Sequence, residues 1–301
     1  MMQAYVHLDP VALPGPLEGK LEHARAAGFT QIMLWGSDLA NHPLGFDHAV
    51  RLVRSSGLRV AGLQLLRDYE GRGPARHSYK IDIAKESLRM CHAVGAPLLI
   101  VTSSTEIPAP DARDDISDLR KLANLAVPLK VRIGYKAVPW AHRVRNAADA
   151  WATVSAVEHA NFHLVLDTLH ILMTGSDLQF LEDVDPERIA LVQLADFSEA
   201  AIVSDPDRRT AANHGRVFPG DGGHSARLIE MIRAIDRSGY RGDYSLLVMN
   251  DDYRQLPATV VAEHARRSVN WLSNQVLRRA LQPRLTPKAV TAASTPCKEG
   301  P

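Results

Sequence analysis

The stretch FHLVLDT, residues 162–168, is a nearly continuous apolar run that ends on a carboxylate. A continuous run suits a strand that is buried on both faces of a parallel sheet. Seven other short apolar runs follow the same pattern: AYVHL (4–8), QIMLW (31–35), RVAGLQLL (59–66), PLLIVTS (97–103), KVRIGY (130–135), IALVQLAD (189–196) and YSLLVM (244–249). The sequence therefore predicts eight parallel strands.

Amphipathic segments lie between these strands and predict helices. LEGKLEHARAAGF places Leu17, Leu21 and Ala24 at helical spacing, with Gly28 as the stop. Alternating strands and helices over residues 1–280 predict an α/β fold, a single (β/α)8 TIM barrel. A doubly wound open sheet is the rival, and the lack of a Gly-rich phosphate turn after the first strand disfavours it.

Bulk composition narrows the class of partner. The formal net charge is +1 with 35 basic and 34 acidic residues, so no global field favours nucleic acid or an anionic membrane. No apolar run approaches the ~20 residues that span a bilayer, and the N-terminus does not read as a signal peptide. With only two cysteines and no metal spacing, we expect a cytoplasmic protein. The Pro-, Thr- and Lys-containing tail, residues 281–301, is expected to be disordered.

Polar residues at the strand ends are the candidates for function, because TIM-barrel sites lie at the C-terminal ends of the strands. LQLLRDYEG (63–71) follows the third strand and carries Arg67 and Tyr69. Arg67 could hold an anionic group through its planar guanidinium. A solvated charged loop is the alternative interpretation.

Strands six and seven offer further candidates. In LVLDTLH (164–170), Asp167 could bind a metal and His170 could shuttle protons, or they could be a helix N-cap and a surface histidine. Gln193, inside an apolar strand, is either a ligand or a core hydrogen-bonding residue. NHGRVFPGDGGH (213–224) adds His214 and Arg216, either a second anion clamp or loop ion pairs.

Six motifs in order, LQLLRDYEG, GYKAVPW, LVLDTLH, VQLAD, HGRVFPGDG and YSLLVMND, resemble the sugar phosphate isomerase/epimerase-like (xylose isomerase-like) barrels. The branch they resemble most is the bacterial 3-dehydroshikimate dehydratases, over roughly residues 1–275. The resemblance implies a lyase or isomerase that abstracts a proton next to a ketone. It also implies one divalent metal held by a Glu, an Asp, a Gln or His, and a Glu on strands five to eight.

Two of those four positions differ here. Asp167 and Gln193 match the family pattern, but Lys136 stands at the strand-five position and Leu247 at the strand-eight position. Divalent cations prefer several oxygen ligands and negative charge. We therefore expect no resident cofactor, with Mg²⁺, Mn²⁺ or Co²⁺ on the remnant ligands Asp167 and Gln193 as the alternative.

Three outcomes remain open for the activity. In a metal-free enzyme, Lys136, Asp167 and His170 would be catalytic. Arg67, Tyr69, Gln193, His214 and Arg216 would then hold a small carboxylated or phosphorylated ketone. A catalytically inactive homologue would keep a pocket for a small anionic ligand. A displaced metal site could be rebuilt with His214 or Asp251. The oligomeric state, monomer or homo-oligomer, is open as well.

Overall fold

Eight parallel strands close into a barrel in the computed structural model, which describes residues 5–110, 114–198, 202 and 204–277. The strands in chain order are β1 (Val6–Leu8), β2 (Gln31–Trp35), β3 (Arg59–Leu66), β4 (Leu98–Thr102), β5 (Arg132–Lys136), β6 (Phe162–Asp167), β7 (Ile189–Leu194), β8 (Asp196–Phe197), β9 (Arg216–Val217) and β10 (Tyr244–Leu246). β8 and β9 form a separate antiparallel ribbon, and the other eight make the barrel in the order β1-β10-β7-β6-β5-β4-β3-β2. The predicted (β/α)8 architecture is confirmed.

Helices connect and surround the strands. They are α1 (Leu17–Ala26), α2 (Gly36–Ala40), α3 (Phe46–Ser55), α4 (Pro74–Val94), α5 (Asp115–Ala126), α6 (Ala147–Val157), α7 (Thr168–Thr174), α8 (Asp205–His214), α9 (Ser225–Arg237) and α10 (Ala258–Trp271). Five short 3-10 turns and a π-helical segment, Leu272–Leu277, complete the described chain. Within the described residues, no helix is both long and apolar enough to cross a membrane.

The strand boundaries differ from the predictions mainly where function is expected. β5 continues through Lys136 rather than stopping before it, and Lys136 pairs in register with Thr102 of β4. The last apolar run contributes only three strand residues, Tyr244–Leu246. The predicted tail at 281–301 lies outside the described residues.

Two apolar regions support the barrel. One fills the layer between strands and helices, and the other is a small cluster built from Met33, Ala61, Leu98, Ile100, Val165, Ala190 and Leu191. Gly134 makes room in this second cluster, because a Cβ there would come within 2.7 Å of Val165 Cγ2. This apolar packing supports the polar side chains at the ends of β5, β6 and β7.

Candidate active site

Lys136 is the centre of a buried polar group at the C-terminal ends of the strands. Its Nζ donates to Asp167 Oδ2 at 3.0 Å and to Gln193 Oε1 at 2.6 Å. β5, β6 and β7 are neighbouring parallel strands, and Asp167 pairs in register with Gln193. The lysine amine therefore lies between the two side chains that match the family's metal ligands.

Arg216, at the start of β9, is the second cation at Asp167. Its guanidinium donates to Asp167 Oδ1 and Oδ2, each at 3.1 Å, in a fork geometry. The other N–H groups donate to the carbonyls of Ala212 and Leu247 and to His170 Nε2. Because these donors are engaged within the protein, the geometry favours the ion-pair interpretation of Arg216, and its role as an anion clamp stays a prediction.

Asp167 stays ionised in this setting. Burial raises the pKa of its carboxyl, but the charges of Arg216 and Lys136 outweigh that effect and hold the pKa well below its usual range. Asp167 is also the N-cap of α7 and accepts from the backbone N–H of Leu169. Asp167 is therefore a helix N-cap, as one of the two interpretations predicted, and it also belongs to the buried polar group.

Burial dominates the pKa of Lys136, whereas neighbouring charges dominate the pKa of Asp167. Burial lowers the pKa of its amine, Asp167 opposes the effect, and the charge of Arg216 adds to it. With both cations protonated, Lys136, Arg216 and Asp167 sum to a charge of +1. The cluster as a whole thus favours an anionic ligand.

His170 is buried and neutral, with burial lowering its pKa to about 3. Nδ1 donates to the carbonyl of Ala137 at 3.1 Å, and Nε2 accepts from Arg216 at 3.1 Å. Since both ring nitrogens have partners, the predicted proton shuttle would require Arg216 to move away. The ring also packs edge-on against Trp140.

A cavity of about 180 Å³ lies over this cluster. Its wall includes Lys136, His170, Arg216 and Leu247. Leu247 is buried and supplies an apolar surface at the position where the resemblance implies a carboxylate. The cavity is therefore lined by a lysine and a leucine at two of the four family ligand positions.

The mouth of the cavity carries cations and one carboxylate. Arg67 is exposed and lines the cavity, and its predicted anion-binding role stays a prediction. Arg209 also lines it, with its guanidinium carbon 6.0 Å from the centre of the Trp140 ring. Asp68 lies beside them, and its Oδ1 accepts from the N–H and hydroxyl of Thr105. These contacts fix the β3 loop against the β4 loop.

Two predicted substrate-binding residues do not reach the cavity. Tyr69 is fully buried and packs edge-on against His77 in the layer outside the barrel. His214 is exposed and pairs with Asp251, 2.9 Å away. Neither side chain lines the cavity, so the geometry gives no support to their predicted role in substrate binding, which stays a prediction.

Sequence reasoning missed Arg209, Trp140 and Asp68. Arg209 lies in α8, which begins at a capping box formed by Ser204 and Asp207. Its helix has little apolar periodicity, so the face that turns to the cavity could not be predicted from the sequence. The usable signal was the capping box followed by paired arginines.

A chain of hydrogen bonds continues from Lys136 toward β1. Gln193 Nε2 donates to Gln64 Oε1 at 3.2 Å, and Gln64 Nε2 donates to Asp9 Oδ2. Asp9 Oδ1 accepts from Val11 N at 3.0 Å and Trp35 Nε1 at 2.9 Å. The donors to Asp9 among the described residues are neutral, and burial, with a smaller contribution from the charge of Asp38, raises the pKa of Asp9 to about 6.

The four family positions do not fit a divalent cation. Asp167 already accepts from a lysine and an arginine, and Gln193 Oε1 accepts from the same lysine. Leu247 offers no ligand atom at all. An ammonium at the centre of the group would also repel a dication.

A different group of side chains of the types that bind metals consists of Glu18 on α1, His42 in the loop between α2 and α3, and His48 on α3. Their ligand atoms lie within 4.8 Å of one another. Ordinary hydrogen bonding explains two of them. His42 Nδ1 accepts from Leu44 N at 3.2 Å, so a neutral ring carries its proton on Nε2 and donates to Glu18 Oε1 at 3.0 Å. That tautomer leaves His42 without a free nitrogen for a metal.

Residues 21–275 match the Xylose isomerase-like TIM barrel family. The chain belongs to this family. It is 34% identical over 269 residues to the 3-dehydroshikimate dehydratase of Pseudomonas aeruginosa, which covers 88% of this chain and 41% of the relative. The chain thus spans about two fifths of that curated relative.

Two more distant relatives extend the comparison. The inosose isomerase of Bacillus subtilis is 22% identical over 218 residues, covering 70% of this chain and 75% of the relative. A solved IOLI protein with a bound zinc atom superposes with a TM-score of 0.75 at 21% identity, covering 91% of this chain and 98% of that one. Relatives of this chain therefore include a lyase and an isomerase, and one structure in the fold family holds a metal.

Proposed function

We propose that this chain is a lyase of the 3-dehydroshikimate dehydratase type that acts on a small carboxylated or phosphorylated ketone without a divalent metal. The observation that carries the proposal is the amine of Lys136, bound to Asp167 and Gln193 and lining the cavity. The 34% identity to a dehydratase supports the lyase class.

Substrate binding follows from the charges around the cavity. Arg67 and Arg209 flank its mouth, and the Lys136–Arg216–Asp167 group adds one net positive charge beneath it. A carboxylate or phosphate would bind to the two exposed arginines. The carbonyl would then point down to Lys136.

Lys136 can act on a ketone as a nucleophile. Its neutral amine attacks the carbonyl carbon, and loss of water leaves an iminium ion. Burial favours this reaction because it lowers the pKa of the amine and so increases the neutral fraction. Asp167 then stabilises the positive charge that the iminium keeps.

Proton abstraction requires a base at the cavity wall. Asp68 is the candidate, because Thr105 occupies only its Oδ1 among the described residues. Its carboxylate would take the proton next to the iminium carbon and leave an enamine. Expulsion of a β-hydroxyl as water and hydrolysis of the resulting iminium would release the product ketone and the free amine.

The test uses chelator-treated protein and 3-dehydroshikimate, with turnover followed by absorbance. Turnover should survive the chelator and vanish in Lys136→Met, and borohydride should trap an adduct at Lys136 by mass spectrometry. Lys20→Met is the matched control, since Lys20 is also ion-paired, 3.0 Å from Asp38, but lies away from the cavity. Turnover that requires added metal would contradict the proposal.

A second candidate is an inactive homologue that binds a small anion. The observation that favours it is the full engagement of His170 and Arg216, which leaves the site without a free histidine nitrogen. Saturable binding of 3-dehydroshikimate with no turnover and no trapped adduct would select this candidate.

A further inference from the structure

We propose that Asp9 and Gln64 are positioning residues that fix the amide of Gln193 with its oxygen toward Lys136. The proposal starts from Asp9, which directly follows β1 and is fully buried. An ionised carboxylate only accepts hydrogen bonds. Whatever faces Asp9 must therefore be a donor.

The orientation of each amide follows from that carboxylate. Gln64 has to present its NH₂ group to Asp9 Oδ2, so its oxygen points the other way and accepts from Gln193. Gln193 in turn has to present its NH₂ group to Gln64, and its oxygen is left for Lys136 at 2.6 Å. Amide flips are assigned from such networks, and this one allows a single arrangement.

Replacing Asp9 by asparagine should reverse the whole chain. The Oδ1 position is held by two donors, Val11 N and Trp35 Nε1, so an asparagine must keep its oxygen there. Its NH₂ group then occupies the Oδ2 position and meets the NH₂ group of Gln64. Gln64 flips to accept, Gln193 flips after it, and an NH₂ group faces the ammonium of Lys136.

Lys136 would then lose one of its two acceptors. Because an acceptor stabilises the ammonium form of a lysine, its loss should make the amine more reactive at neutral pH. Asp167, Arg216, Arg67 and His170 surround Lys136 and remain unchanged in this variant. The effect therefore isolates the amide chain.

The experiment measures reductive methylation of Lys136 with formaldehyde and cyanoborohydride at pH 7.5, quantified by peptide mass spectrometry. Lys20, which is paired with Asp38, is the internal reference for intact folding. Asp9→Asn should raise the rate at Lys136 about tenfold, equivalent to about one pH unit. Asp196→Asn is the matched control, because Asp196 is equally buried but accepts from Phe197 and His224 instead.

Two further variants separate orientation from charge. Gln64→Met keeps the Asp9 carboxylate but removes the link to Gln193, so the Lys136 ammonium alone holds the Gln193 oxygen and the rate at Lys136 should stay at the wild-type value. The double variant Asp9→Asn with Gln64→Glu should restore the wild-type rate, because a carboxylate at position 64 accepts from both neighbours. If Asp9→Asn also speeds labelling of Lys20, the decision rests on the double variant.

A wild-type rate at Lys136 in Asp9→Asn would overturn the proposal, as would a double variant that stays fast. This inference rests on the proposed function only in treating the Lys136 amine as the group that reacts with substrate. Labelling is measured without substrate, so failure here leaves the proposed function standing, and absence of turnover leaves this result standing.

Discussion

Asp167 and Asp9 are both buried aspartates at the same end of the barrel, yet their environments drive them in opposite directions. Asp167 has two cations, and its pKa lies well below the usual range. Asp9 has only neutral donors, and burial raises its pKa to about 6. Burial alone therefore does not decide the charge of a carboxylate in this site, because the groups that contact the carboxylate determine the direction of its pKa shift.

Replacing each aspartate in turn by asparagine tests whether the two cations account for the difference between Asp167 and Asp9. Asp167→Asn leaves Lys136 and Arg216 buried without a counter-ion and should lower the free energy of unfolding by about 3–5 kcal/mol. Asp9→Asn leaves both buried cations paired with the Asp167 carboxylate and should cost only about 1–2 kcal/mol. Urea unfolding measures both. Equal losses would show that the cations do not set the difference.

Glu70 extends the comparison to pH. It is buried, accepts from Tyr135 and Ser104, and burial raises its pKa from 4.5 to about 7. The folded protein therefore binds this proton more tightly than the unfolded chain does. Its contribution to stability, about 3 kcal/mol, is fully present below pH 4.5 and lost as the pH rises through about 7.

Glu70→Gln should remove that pH dependence. The difference in unfolding free energy between wild type and variant, measured by urea at intervals from pH 4.5 to 8, should change by about 3 kcal/mol. Glu106→Gln is the control, since Glu106 is more exposed and pairs with Arg72 and Arg76. A constant difference across this window would mean that Glu70 is ionised throughout.

Placing carboxylates at positions 136 and 247 tests whether Lys136 and Leu247 prevent metal binding. Lys136→Glu with Leu247→Glu would place three carboxylates and Gln193 around one point and remove a cation. We expect Mn²⁺ to bind at least about 100-fold more tightly than to wild type, equivalent to about 2.7 kcal/mol. Calorimetric titration checks this. Lys136→Met with Leu247→Met, which removes the cation but adds no oxygen, is the control.

Arg67 should show the smallest effect, because it is exposed. Arg67→Ala should weaken binding of a carboxylated ketone about tenfold and leave the free energy of unfolding within about 0.5 kcal/mol. Arg76→Ala, which removes an exposed arginine paired with Glu106, is the matched control. An unchanged dissociation constant would remove Arg67 from the binding site.

The fold was largely predictable from sequence because each barrel strand is a continuous apolar run. FHLVLDT and RVAGLQLL predicted β6 and β3 nearly to the residue. The length of β10 was overestimated, since Leu247 and Val248 are apolar and buried but lie beyond the end of the strand. Apolar character reports burial more directly than it reports strand pairing.

The site was predictable only in part. The positions of Asp167, Lys136 and Gln193 follow from strand ends meeting at one rim. Their hydrogen bonds, and those of Arg216, depend on which side chain lies opposite in three dimensions. The sequence could not show that Arg216 would pair with Asp167, or that Tyr69 would face the outer layer while Arg67 faces the cavity.

Trp140 gives the cavity an optical reporter. Its indole ring lies between Arg209 at the mouth and His170 at the wall. An anion that draws Arg209 off the ring changes the field at the indole, and the fluorescence emission should shift with occupancy. Ligand screening can therefore begin with unlabelled protein, and Trp140→Phe identifies which of the four tryptophans responds.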